Sequence, residues 1–155
     1  MLELALALEQ GALAQALRGS PWLYPAVNAG HILGIALLVG GIIPLDLKLL
    51  GCWRRLPVVP FWQVLRLTAG LGLALALTTG SLLFITRASE YLQSDWFQAK
   101  FALILLGLAN LVVAGTRFPA PVDGAPVVPG LRRCALFSLV GWPVVLVLGR
   151  MIGYF

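Results

Sequence analysis

The sequence predicts an all-α integral membrane protein, a four-helix bundle preceded by an amphipathic helix at the membrane interface. Three observations carry that prediction. Of 155 residues, 60% are hydrophobic and 11% charged, with a mean hydropathy of +0.94, whereas a soluble domain carries about 25% charged residues. So little charge cannot cover a water-facing surface. Second, the apolar residues come in runs long enough for the roughly 20 residues that cross a hydrocarbon core of about 30 Å. Third, the charged residues sit singly or in pairs at the ends of those runs, where they anchor helices and set topology. No room remains for a soluble domain, so residues 1–155 form one transmembrane domain. The formal charge of +5 is spread over run ends rather than clustered on a polar surface, which argues against nucleic acid as a partner and for a lipid bilayer.

The first element is a short helix over about 2–18. Leu2, Leu6, Leu13 and Leu17 recur at helical spacing with Glu3, Gln10 and Arg18 off that stripe. It is too polar to span, so an interfacial placement is expected, ended by "GSPWLYP". The start "MLELALALEQ" lacks the basic n-region of a secretory signal, so the N-terminus is expected to be retained.

Four spans follow. The first covers about 22–50 and the second about 61–85. The third covers about 95–115, opening at "DWFQ", where Asp95 would be the N-cap and Gln98 lies three residues on. The fourth covers about 131–152. Pro44 and Pro143 interrupt spans one and four; each lacks an amide hydrogen, so a bend is expected there.

Loop charge predicts the orientation. Lys48, Arg54 and Arg55 lie between spans one and two, and Arg117, Arg132 and Arg133 between three and four. The connection between two and three is balanced, with Arg87 and Lys100 against Glu90 and Asp95. Basic loops stay in the cytoplasm, so both termini are expected on the periplasmic side of a bacterial inner membrane. Cys52 and Cys134 make no metal spacing and are expected to be reduced and buried as small apolar residues.

Small residues line one face of the first two spans: Ala26, Gly30 and Gly34, then Gly72, Ala76 and Gly80. Such faces let helix backbones approach closely inside lipid, within a chain or between copies.

The polar residues fall into two layers. Asn28, His31 and Lys100 belong to the outer one; Asp46, Arg66, Asn110 and Arg117 belong to the inner. His31 and Asp46 are 15 positions apart, about 22 Å along a helix, so they cannot share a site, although only about 60° separates them around it. Asp46 near a helix end is expected to pair with Arg66, while Lys48 snorkels to the headgroups. Lys100 in an early helical turn opposes the macrodipole. An anion is therefore expected beside it: Glu90, Asp95, a headgroup or a bound substrate. His31, the only histidine, could ligate haem, hydrogen-bond a quinone, relay a proton, or simply bond a backbone carbonyl across helices. A bis-histidine haem would need a second histidine from elsewhere.

No phosphate-binding glycine loop, Cys-x-x-Cys, His-Glu-x-x-His or Gly-x-Ser-x-Gly motif occurs, so no catalytic residues are assigned. Copper handling favours several Met, His or Cys ligands in the membrane. Met1, Met151 and one histidine do not supply them.

"HILGIALLVGGIIPLDLKLLG", then "RRLP", then "TTGSLLFITRASEYLQSDWFQAKFALILLGLAN" resembles an uncharacterised family of small four-span bacterial membrane proteins. The matching positions are His31, Gly34, Asp46, Lys48, Gly51, Thr79, Gly80, Phe97, Lys100 and Asn110, within residues of about 20–115. Pro44 departs from the pattern, as does Lys48 where the family has Arg. The family is in turn distantly like the membrane domain of copper-resistance proteins, but the missing ligands oppose carrying copper over. The resemblance implies the fold and singles out residues without supplying an activity.

Two functions follow as expectations. One is a non-catalytic accessory or scaffolding subunit that packs against a larger membrane protein or against its own copies. The other is a redox or permeation protein holding haem b, quinone or a small anion near His31, Lys100 and Asn28.

Overall fold

The computed structural model describes residues 2–154, and among them every regular element is an α-helix: α1 (Leu2–Glu9), α2 (Ala12–Gly19), α3 (Leu23–Leu50), α4 (Val58–Thr86), α5 (Ala88–Gln93), α6 (Asp95–Arg117) and α7 (Pro129–Met151). α3, α4, α6 and α7 are each long and apolar enough to cross a membrane.

The expected single helix over 2–18 is two helices. Gly11 adopts an extended conformation as the N-cap of α2 and breaks the run. α1 has no polar stripe, with Leu2, Leu4, Leu6 and Leu8 all exposed. Only α2 has the amphipathic form, burying Ala14 and Leu17. The pair is held at the end of the bundle where α4 gives way to α5. There Arg18 donates to the Thr86 carbonyl at 2.8 Å and also to the carbonyl of Glu9.

α3 starts and ends close to the expected bounds and stays helical through Pro44. Gly51, at φ 110°, stops it in the left-handed region that glycine tolerates. Lys48 does not snorkel. It is 7% exposed and its ammonium donates to the carbonyls of Trp53 (2.7 Å) and Leu56, tying down the loop that follows. The lysine's donors thus meet loop carbonyls inside the protein, one of which, that of Trp53, also accepts from the Leu56 amide at 2.9 Å. Cys52, in that loop, is exposed rather than buried.

α4 begins at Val58, three residues before the expected start at 61. Prolines are accepted in a first turn, whose amides lack intrahelical partners. The two freed amides of Val58 and Val59 both donate to Asp123 Oδ1, from the α6–α7 loop. At the start of α6 the cap is Ser94, not Asp95: its Oγ accepts from the Phe97 amide at 3.4 Å. Gln98 donates instead to the Leu92 carbonyl.

α3 and α4 pack most closely, through the small-residue faces. A Cβ on Gly34 would lie 2.6 Å from the Ala76 amide nitrogen, and one on Gly41 would lie 2.9 Å from that of Ala69. Gly72 sits against Leu38 and Gly34, and Gly30 against the Thr79 methyl. Inside lipid this intimate van der Waals contact replaces a hydrophobic drive. α7 completes the core on the other side of α3. Leu45, Leu49, Val58, Leu131 and Ala135 form one buried cluster, with Leu38, Ala69 and Trp142 about two turns beyond. The backbone of α6 comes close to α7 and α5 and reaches neither α3 nor α4. The long helices therefore stand in the order α4, α3, α7, α6. The core lies toward the end that carries the basic loops.

Candidate functional site

Toward the opposite end, where α3 begins and α7 ends, His31 of α3 rests over Gly80 of α4. A Cβ on Gly80 would be 2.9 Å from the ring Cε1, so glycine leaves the space the imidazole occupies. His31 Nδ1 is 2.9 Å from the Ala76 carbonyl oxygen and 3.3 Å from Thr79 Oγ1. A carbonyl can only accept, so Nδ1 carries a proton, and in the neutral ring Nε2 keeps its lone pair. Nε2 has no hydrogen-bond partner among the described residues. The Thr79 hydroxyl itself donates to the Leu75 carbonyl. An imidazole oriented by its second nitrogen on a backbone carbonyl is the arrangement used by ligating histidines.

Lys100 enters from α6. Its chain lies on Gly149 of α7, where a Cβ would sit 3.1 Å from Nζ. Its charge is the one felt at the His31 ring, across the space that α6 leaves open toward α3. Among the described residues the ammonium has neither a hydrogen bond nor an ion pair. Neither expected carboxylate is there: Glu90 pairs with Arg87 at 3.4 Å, and Asp95 remains exposed on the first turn of α6. Asn28 is exposed one turn before His31 and takes no part in its hydrogen bonds. Lys100 is thus the charged group that bears on His31, while Asn28 stays outside.

Stacked rings cover this end. Phe84 and Phe97 lie 5.3 Å apart, Tyr91 and Phe97 5.4 Å, and Phe97 and Phe101 6.2 Å. These ring contacts join the tops of α4 and α6, whose backbones stay apart. Burial pushes the Tyr91 phenol above its ordinary value, with Tyr24 adding to the effect.

At the basic end the expected pair of Asp46 and Arg66 does not form. Arg66 is exposed on α4 and lies over the Trp62 ring at 5.5 Å. Asp46 is buried between α3 and α7, facing Ser138. The reason is azimuth: Arg66 lies on the outward side of α4, away from the α3 face that carries Asp46. Asn110 belongs to a third place, donating to the Cys134 carbonyl at 3.1 Å and so joining α6 to α7. Gly30, Gly34, Gly72, Ala76 and Gly80 all lie in the α3–α4 contact, Gly80 also making room for His31.

Sequence reasoning gave Thr79 no role of its own and missed Gly149 and Ser138. Ser138 carried a signal, as the one hydroxyl in the apolar run "CALFSLVGWP". Gly149 carried none, because its role depends on a lysine from another helix.

No protein-family model, no curated protein and no solved structure matches this chain.

Proposed function

We propose that the chain is a non-catalytic subunit of a larger membrane assembly, or of an oligomer of itself, joined through α6. The observation that carries this reading is the burial of α6. This 23-residue helix has no buried residue, whereas α3 buries a continuous stripe from Gly34 to Leu49. Lipid can cover Phe101, Leu105, Leu106 and Val112, all exposed. A helix held along its length by one neighbour still lacks the second packing surface that association in lipid rests on. Loop charge supports an inner-membrane topology with both termini periplasmic, since Arg54, Arg55, Arg132 and Arg133 all gather at the other end.

A photo-crosslinking residue placed at Leu106, with a control at Leu67 on the exposed face of α4, tests this in mild-detergent extracts. Crosslinks to a larger partner or to a second copy from Leu106 alone are expected. A lone monomer without crosslinks from either position overturns the reading.

A second reading rests on the His31 geometry. Nε2 has no partner among the described residues, and the unpaired Lys100 ammonium acts on the ring by its charge, chemistry that suits haem b, a quinone or a small anion. A reduced-minus-oxidised spectrum and an extract for quinone, taken on wild type, His31→Ala and Lys100→Met, test it. A chromophore or quinone lost in either variant supports it. Their absence from wild type, with no stabilisation by added anions, overturns it.

A further inference from the structure

In the basic half of the bundle α3 and α7 close over two polar side chains with no charge to answer them. Asp46 is 3% exposed and Ser138 6%. Ser138 is the hydroxyl that faces the carboxyl, yet Asp46 Oδ2 and Ser138 Oγ each end without a hydrogen-bond partner. Leu45 and Leu49 on one helix and Ala135 on the other lie in the apolar cluster a turn or less away.

Every nearby cation is occupied elsewhere or turned outward. On α3, Lys48 donates to Trp53 and Leu56. On α4, Arg66 lies over Trp62. On α7, Arg132 donates to the Leu50 carbonyl at 3.0 Å, Arg133 is exposed, and Cys134 is a free cysteine that offers no cation. Among the described residues the Arg87–Glu90 ion pair is the only one, and it lies at the far end.

An ionised carboxylate shut in apolar surroundings without a partner is far more costly than a neutral group that makes a hydrogen bond. A neutral carboxyl offers one O–H donor, and a hydroxyl oxygen accepts. One such bond across the seam would satisfy both orphaned atoms after a small side-chain rotation. We propose that Asp46 and Ser138 form a proton-binding site, in which one proton carried by the Asp46 carboxyl and shared with Ser138 Oγ lets α3 and α7 pack together.

Loss of that proton leaves a bare negative charge in the α3–α7 seam, so proton release and loosening of the seam are one event. The helices are built to give near it. Pro44, two residues before Asp46, cannot donate to the Gly40 carbonyl, and Pro143, five after Ser138, cannot donate to that of Leu139. The site is separate from the His31–Lys100 pair. The α3 turns between them bury Gly34, Leu38 and Gly41, the two glycines against α4.

Infrared spectroscopy of the full chain in lipid nanodiscs tests this directly. At neutral pH we expect a protonated-carboxyl C=O band that Asp46→Asn removes and that Ser138→Ala moves to higher frequency, through loss of the hydrogen-bond partner. Should Asp46→Asn fail to fold, the shift in Ser138→Ala decides, since that variant keeps the carboxyl. A wild-type spectrum without the band, or a band unmoved by Ser138→Ala, overturns the proposal. Absence of the band together with thermal stability that rises with sodium also overturns it, in favour of a metal cation between the same two side chains.

Discussion

Glu9 and Ser89, 80 residues apart, meet in a two-point contact: Glu9 Oε1 accepts from both the amide and the hydroxyl of Ser89, each at 2.7 Å. Ser89 lies in the first turn of α5, so the carboxylate serves a first-turn amide of a helix it does not belong to. With Arg18 on the Thr86 carbonyl, it fastens α1 and α2 to the corner between α4 and α5.

That contact makes the docking of the N-terminal helices sensitive to acid. The Ser89 hydroxyl first, then the Ser89 amide, hold the Glu9 carboxyl below its ordinary range against a small desolvation, with Arg18 adding to the effect. A carboxylate depressed in this way contributes stability above its unfolded value of about 4.3 and loses it as pH falls through the folded value. A spin label at Leu13 should stay immobile at neutral pH and become mobile below about pH 4. In Glu9→Gln it should be more mobile at every pH, without that acid step. A label equally immobile in both proteins across the range would sink the idea.

The α3–α4 contact predicts a contrast between two glycines on one helix. A Cβ on Gly72 would strike the backbone of Leu38 and Gly34, while one on Gly70 meets nothing within 4 Å. Gly72→Ala should cost roughly 1–3 kcal/mol, as overpacking does, and Gly70→Ala should cost nothing. Thermal unfolding in one detergent compares them. Equal midpoints would mean that the helices are not packed this closely.

Asp123 should matter to a helix that starts 65 residues earlier. Asp123→Ala leaves the amides of Val58 and Val59 unanswered and should cost about 1 kcal/mol, the usual worth of an N-cap. Asp123→Asn, which keeps an acceptor oxygen, should retain part of it. Faster amide exchange at 58 and 59 in the alanine variant is the local signature, and unchanged exchange there would count against the cap.

Lys100 separates fold from function. Its ammonium is unpaired near the start of α6, where the helix dipole disfavours a cation by roughly 0.3–1 kcal/mol. Lys100→Met should therefore leave the unliganded protein at least as stable as wild type. A stability loss would show that the ammonium has a structural partner within the chain.

Membrane residence, four spans and the faces by which α3 and α4 meet were legible because they depend on local composition and spacing. A run of about 20 apolar residues needs a bilayer whatever its neighbours are, and glycines four apart mark a close-approach face without reference to the partner. The presence of His31 within the first span was legible in the same way. Its proton was not, because the tautomer depends on a carbonyl 45 residues away.

Pairing between helices belongs to another level. Whether Asp46 meets Arg66 or Ser138 depends on the order of helices around the bundle and on the rotation of each about its axis, neither of which is written in the spacing along a single helix. The same holds for Asp123 at α4, Glu9 at α5 and Lys100 on Gly149: each joins segments far apart in the chain, where several polar groups of similar chemistry compete for one partner. The sequence alone established which residues enter the membrane and which faces are smooth enough to pack. Only the tertiary structure decided which buried polar groups find partners and which two, Asp46 and Ser138, are left facing each other, because that outcome depends on distances across the bundle rather than along it.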